Sequence, residues 1–192
     1  MAKLILKEGN GDNEIFIDNE DKMNFGDVAK ETILAYFESV IVESKKIVKE
    51  NEKIKAQNKK IPDRKKHKKL IKEKEAITVT KFRGILDLTN KIYNRVMLDE
   101  ENEIASEQIS DLAYLKVKLA YESGRDEVVK DFVEKTLLTK PIDHIITCVK
   151  CEQKAHFLLY ARYLESLIAY FTFYEETYNA QIAKIYANGG IN

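Results

Sequence analysis

The sequence predicts an all-α helical bundle, and three observations carry that expectation. Glycine and proline are scarce, 7 and 2 in 192 residues, which excludes collagen-like, linker-like and turn-rich β-sandwich compositions. Ala, Glu, Lys, Leu and Ile are abundant, which favours helix. Apolar side chains recur at helical spacing along most of the chain. With 44% hydrophobic residues, the length suits one domain with a substantial core. The expected architecture is a single bundle of about six or seven helices over residues 25–192. It carries a basic helical insertion at 45–76 and ends in a long aromatic C-terminal helix. Residues 1–24 are set apart as a loose segment or a short hairpin.

Taken in order, residues 3–17 alternate weakly around Asn10–Asn13, the pattern of a hairpin or a tail. From Phe25, the apolar positions Val28, Ile33, Leu34, Phe37, Val40, Ile41, Ile47 and Val48 follow a helical period. Pro62 and Asp63 break it, and a second helix is expected to start there and join the next near Thr78 or Thr80. Phe82, Ile85, Leu86, Thr89, Ile92, Tyr93 and Val96 then form an i, i+3, i+4 stripe. Acidic Asp99–Glu103 suits a loop entering a helix N-terminus, where carboxylates are favoured. Ile109–Ser123 is apolar nearly all round apart from Lys116 and Lys118, which predicts a central, surrounded helix. Gly124 is its expected stop, and Arg125 and Asp126 open a further helix ended by Pro141. A short segment to Val149 precedes the aromatic helix, from about Glu152 to Tyr186.

Charge is neutral only in sum, with 32 basic and 32 acidic residues. Residues 1–44 are net −6, residues 45–74 net +10 and residues 75–192 net −4. The basic block has no aromatic side chain, so it meets phosphates as point charges without stacking on bases or anchoring in a headgroup layer. A solvated helical arm and an auxiliary nucleic-acid contact are both open readings of it. His156–Tyr174 is apolar enough to suggest a membrane span. However, Arg162 and Glu165 at its centre would each cost roughly 2.5–3.5 kcal/mol there, and at i, i+3 they can pair on one helix face. A buried bundle helix fits better, and no membrane association is expected. The N-terminal residues do not read as a signal peptide, and two cysteines do not make a secreted disulfide framework, so the expected compartment is the cytoplasm.

Catalytic signatures are missing: there is no phosphate-binding loop, GxGxxG, GxSxG or HExxH. No enzyme activity and no cofactor are expected. His144, Cys148, Cys151 and His156 form a zinc-compatible set of residue types, but one CxxC with a ligand five residues further along suits a continuous helix poorly. No metal site is assigned; reduced thiols, a redox pair and zinc are the readings weighed. The basic residues are more informative. Lys81, Lys91 and Arg95 fall within about 80° of one another on their helix, on the face expected opposite its apolar stripe. Lys116 and Lys118 interrupt an otherwise core-like helix, and Arg125 sits beside a helix N-terminus, where a cation favours an anionic partner. Each alone is explained by snorkelling or an internal salt bridge. Together they suggest a surface that tracks phosphates.

Tyr114–Arg125 (YLKVKLAYESGR), followed by DEVVKDFVEKT, resembles the core motif of the small subunit of type III-A CRISPR (Csm) effector complexes. ITVTKFRGILDLTNKIYNRV before it and FLLYARYLESLIAYFTFY after it match the same family in order and spacing. The resemblance covers about 77–174, roughly half the chain. It implies a helical, non-catalytic subunit, several copies of which line a ribonucleoprotein filament beside the guide–target RNA duplex, with cleavage in the backbone subunits. By motif, Arg83, Lys116, Arg125 and Arg162 take the family's basic positions. With Lys81, Lys91, Arg95 and Lys118 they make the candidate RNA-binding set. The implied partners are guide RNA, target RNA, the backbone subunit, the large polymerase-like subunit and a possible second copy of the chain. The basic block 45–76 and the tail beyond Tyr174 exceed the family pattern, and the CxxC lies outside it. The rival expectation is a helical protein–protein adaptor without direct RNA contact, docking through its aromatic C-terminal helix.

Overall fold

The computed structural model describes residues 3–7, 14–18, 25–99, 104–147 and 153–189. Two short strands, β1 (Lys3–Lys7) and β2 (Glu14–Asp18), pair antiparallel with Lys3 opposite Asp18 and Lys7 opposite Glu14. Six α-helices follow among the described residues: α1 (Phe25–Asn58), α2 (Val79–Leu98), α3 (Ser106–Arg125), α4 (Glu127–Lys135), α5 (Lys140–Thr147) and α6 (Gln153–Asn188). The all-α class holds. The described residues divide into two compact units, one within Met1–Leu34 and Ile77–Thr172, the other within Ala35–Ala76 and Phe173–Asn192.

In the first unit, α2 buries Phe82, Ile85, Thr89, Ile92 and Val96, the stripe its sequence period predicts. Thr89 belongs there because its hydroxyl donates to the Ile85 carbonyl at 2.9 Å. Three rings join three helices: Phe82 meets Phe132 of α4 at 4.5 Å, and Phe132 meets Phe171 of α6 at 6.1 Å, both edge-on. Leu112, Leu115 and Leu119 of α3 are fully buried, and that helix lies against α2, α4 and α5. Its opposite face corrects the expectation of a surrounded helix. Tyr114, Val117 and Tyr121 are 57, 62 and 55% exposed, because the neighbouring helices cover one side only.

Two turns also differ from expectation. Gly124 is helical and does not stop α3; Asp126 does, with extended backbone (φ −142°, ψ 113°). The Asp126 carboxylate then caps α4 by accepting from the Val128 N–H at 2.9 Å. Pro141 does not end α4 either. Leu137 takes φ 56°, its N–H donating to the Glu134 carbonyl while the Leu138 N–H donates to that of Val133. That is a Schellman cap built on a leucine, and Leu138 beside it is fully buried. Pro141 sits instead in the first turn of α5, where its missing N–H has no helical partner to lose.

The buried tyrosines of α6 are treated unequally. Tyr163 donates its hydroxyl to the Thr136 carbonyl at 3.2 Å, whereas the Tyr160 hydroxyl, fully buried, has no hydrogen-bond partner among the described residues. An unpaired buried hydroxyl carries a desolvation penalty of about 1–3 kcal/mol. Tyr160→Phe should therefore stabilise the protein, by about 1 kcal/mol in urea denaturation. A loss of stability would mean that the hydroxyl is paired.

The second unit holds residues 35–58 of α1, the segment 59–76 and residues 173–188 of α6. Phe37 stacks on Tyr178 at 4.6 Å and 13°, and Ile54, Ile182 and Tyr186 are buried. Val48 lies where a Cβ on Gly189 would fall 2.4 Å from its Cγ1, a close approach that needs glycine. The basic insertion is helical to Asn58. Beyond it the helix expected from Pro62 is not formed: Arg64–Lys66 makes one 3-10 turn, and residues 67–78 carry no regular structure. A run dense in lysine has no apolar stripe to pack and repels itself as a helix. Its main chain is instead held by side chains of α1 and α6.

Candidate nucleic-acid interface

The position of each basic residue around its helix determines its partner. On α2, taking the buried stripe as centre, Lys81 stands about 60° away, Arg95 about 100°, Lys91 about 140° and Arg83 about 140° on the other side. Lys81 and Arg95 therefore border the core and reach the next helices, while Lys91 and Arg83 face away from it. Lys81 Nζ lies 2.5 Å from Asp126 Oδ2, and Arg95 Nη1 lies 2.6 Å from Asp111 Oδ2 and 3.7 Å from Glu107 Oε1. Lys81 is the largest influence holding the Asp126 carboxyl below its ordinary pKa, and the Val128 N–H adds to it.

On α3, Lys116 turns toward α5 and lies 2.5 Å from Asp143 Oδ1. Lys118 pairs with Glu122 one turn on, at 2.8 Å, and that hydrogen bond raises its pKa. Lys118 and Arg125 both lie against the exposed Tyr121 ring, 5.5 and 5.3 Å from its centroid. Four of the eight candidates thus have carboxylate partners. Arg83, Lys91 and Arg125 are exposed and have no acidic partner among the described residues. Arg162 is exposed on α6, as is Glu165.

The structure gathers Lys81, Lys118, Arg125 and Tyr121 where α3 gives way to α4, because Asp126, the partner of Lys81, follows Arg125 directly. Arg95 sits at the other end of α3, its partner Asp111 about 22 Å along the helix from Asp126. Chemically, the unpaired guanidinium and ammonium groups can take phosphate oxygens directly, and Arg can do so with two parallel bonds. The paired ones must exchange a carboxylate for a phosphate. Among the residues that the sequence reading missed, Tyr121 carries the plainest signal, as an aromatic three and four residues from two cations. Asp111, Asp126 and Asp143 are partners across helices, and no local spacing announces them.

His144 and His156 meet edge-on with centroids 5.3 Å apart, His156 buried and His144 exposed. Cys148 and Cys151, the other members of the candidate zinc set, lie outside the described residues. Among the described residues, no helix is long and apolar enough to cross a membrane. Of the aromatic residues of α6, the helix on which the adaptor reading rests, Phe157, Tyr160, Tyr163, Phe171 and Tyr186 are buried, whereas Phe173 is exposed.

Residues 57–177 match the family described as Csm2 Type III-A. A protein named CRISPR system Cms protein Csm2, from Enterococcus italicus, is 39% identical over 99 residues, covering 52% of this chain and 69% of its own length. Its namesake from Streptococcus thermophilus is 32% identical over 98 residues, covering 51% of this chain and 73% of that protein. The one from Mycobacterium tuberculosis is 28% identical over 94 residues, 49% of this chain and 72% of that protein.

Proposed function

The chain belongs to the Csm2 type III-A family, and from that premise we propose that it is a non-catalytic, RNA-contacting structural subunit of a type III-A CRISPR complex. Its residues hold the sugar–phosphate backbone of guide and target RNA without reading bases, and cleavage belongs to other subunits. The observation that carries the RNA reading is the set of exposed cations without acidic partners among the described residues, Arg83, Lys91 and Arg125. Where Lys81, Arg95, Lys116 and Lys118 each have a carboxylate partner, these three can offer their charge to an external anion. The exposed Tyr114, Val117 and Tyr121 stripe favours a protein contact as well. It suits a neighbouring subunit, whether the backbone subunit, the large subunit or a second copy, and the compartment follows the complex, the cytoplasm.

The test is salt-dependent binding of the purified chain to a labelled mixed-sequence single-stranded RNA. Affinity should change little with sequence and fall steeply with salt, by about 0.7 in log–log slope per phosphate neutralised. Arg83→Gln, Lys91→Gln and Arg125→Gln together should flatten the slope by about 2 and weaken binding on the order of tenfold or more. Wild-type affinity and slope in the folded triple variant would reject this surface.

A further inference from the structure

The main chain of residues 68–74 is held by side chains of α1 at Lys68 and Ile71 and of α6 at Lys74. Asn58 Nδ2 donates to the Lys68 carbonyl at 2.9 Å, and the Lys68 N–H donates back to Asn58 Oδ1 at 2.9 Å. Asn51 repeats the clamp on Ile71, donating to its carbonyl at 2.9 Å and accepting from its N–H at 2.8 Å. The Lys74 N–H donates to the Tyr186 hydroxyl at 2.6 Å, and Lys74 Nζ lies 3.0 Å from Glu43. The spacing is a physical match. Seven helical residues advance about 10.5 Å and return to nearly the same face. Three extended residues advance about 10 Å. A strap running antiparallel to α1 therefore meets one clamp every third residue, at helix positions one heptad apart. Each amide satisfies a main-chain donor and acceptor at once, so the strap needs no helix or sheet of its own.

The clamps hold the main chain that carries a run of lysines. Lys65, Lys66, Lys69 and Lys72 are exposed and have no acidic partner among the described residues. Lys66 to Lys72 spans about 20 Å of extended chain, long enough to meet several successive phosphates. Beside them, the Lys68 ammonium is turned to Gln57 at 3.2 Å, and the His67 ring nitrogen bonds the Ile61 carbonyl at 2.9 Å, so the strap spends few cations on the fold. There is no aromatic residue here for stacking, and the recognition chemistry is charge at fixed spacing.

We propose that this strap is a second, preorganised contact for the phosphate backbone of a nucleic acid, built from other residues than the α2–α3 set, with Asn51 and Asn58 as its positioning residues. The class of partner rests on the RNA reading above; the geometry of the strap does not. Holding the backbone before binding lowers the ordering entropy that a loose lysine arm would lose on contact.

The test uses the full chain and a labelled 30-nucleotide single-stranded RNA of mixed sequence. Lys65→Gln, Lys66→Gln, Lys69→Gln and Lys72→Gln together should weaken binding about tenfold or more and flatten the salt slope by about 2–3. Asn58→Ala alters no charge and leaves only solvent-exposed groups unpaired, so the protein should fold normally. It should bind about three- to tenfold more weakly and be cut faster by trypsin within 65–72. Unchanged binding by the four-lysine variant would overturn the strap as a contact. Wild-type affinity in Asn58→Ala, with faster tryptic cleavage, would overturn the positioning role. Displacement of the RNA by polyglutamate at equal charge concentration would favour an acidic protein partner and also overturn the proposal. Loss of binding only in the Arg83, Lys91 and Arg125 variant would reject the strap and keep the other surface; loss only in the strap variant would do the reverse.

Discussion

Phe132→Ala should destabilise the chain by about 3–5 kcal/mol, among the largest costs for any single substitution. The ring is essentially fully buried and joins α2 to α6, meeting Phe82 at 4.5 Å and Phe171 at 6.1 Å. Truncation removes the apolar transfer energy and both ring contacts and leaves a cavity between three helices, which a nine-residue helix such as α4 can fill only by shifting. Against a total stability of about 5–15 kcal/mol, such a loss brings a marginal domain to the edge of unfolding. Phe173→Ala is the control: that ring is 75% exposed, and its removal should change stability by less than about 1 kcal/mol. Urea denaturation followed by circular dichroism measures both. Equal, small effects would mean that Phe132 does not tie α2 and α6 together.

A steep loss of stability above pH 10 is the second large effect expected. Burial pushes the Tyr163 phenol up to about 12, opposed by a hydrogen bond with Thr32, and raises the fully buried Tyr160 phenol as well. Below the ordinary phenol value near 10, folded and unfolded chains both keep these protons, and stability does not depend on them. Above it the unfolded chain releases its protons while the folded chain retains them. The unfolded state then binds fewer protons, so stability falls as pH rises toward the folded values. Each tyrosine contributes a slope of up to about 1.4 kcal/mol per pH unit, or about 2–3 kcal/mol for Tyr163 by pH 12. Urea midpoints from pH 8 to 11.5 should be flat and then descend, with a shallower descent in Tyr160→Phe. A midpoint that stays level to pH 11.5 would contradict the buried placement of both phenols.

Long amphipathic elements were legible in the sequence because one period describes them. The α2 stripe from Phe82 to Val96 is buried as its spacing predicts, and α6 extends within two residues of its expected limits. What failed did so where a side chain acts on a main chain far from it in sequence. The strap at 68–74 depends on Asn51 and Asn58, ten to twenty residues earlier, and no propensity scale registers an amide clamp. Gly124 and Pro141 carry stop signals that the chain does not use, because Asp126 and Leu137 supply the geometry that ends the helices. On α3, hydrophobicity alone did not distinguish the buried leucines from the exposed Tyr114, Val117 and Tyr121; the separation lies in which face its neighbours cover. For the candidate interface, the residue types were readable and the pairing was not. Lys118–Glu122 follows from i, i+4 spacing, but Lys81–Asp126, Arg95–Asp111 and Lys116–Asp143 are tertiary.

The proposed role, holding RNA through cations that have no acidic partner among the described residues, is tested most directly in the assembled complex. The chain carrying Arg83→Gln, Lys91→Gln and Arg125→Gln is reconstituted with its partner Csm subunits and guide RNA, and target RNA affinity is titrated at two salt concentrations. Subunit composition should match the wild type, while target affinity falls on the order of tenfold and becomes less sensitive to salt. Normal assembly with unchanged target affinity and salt dependence would contradict the claim and leave the chain a protein–protein adaptor.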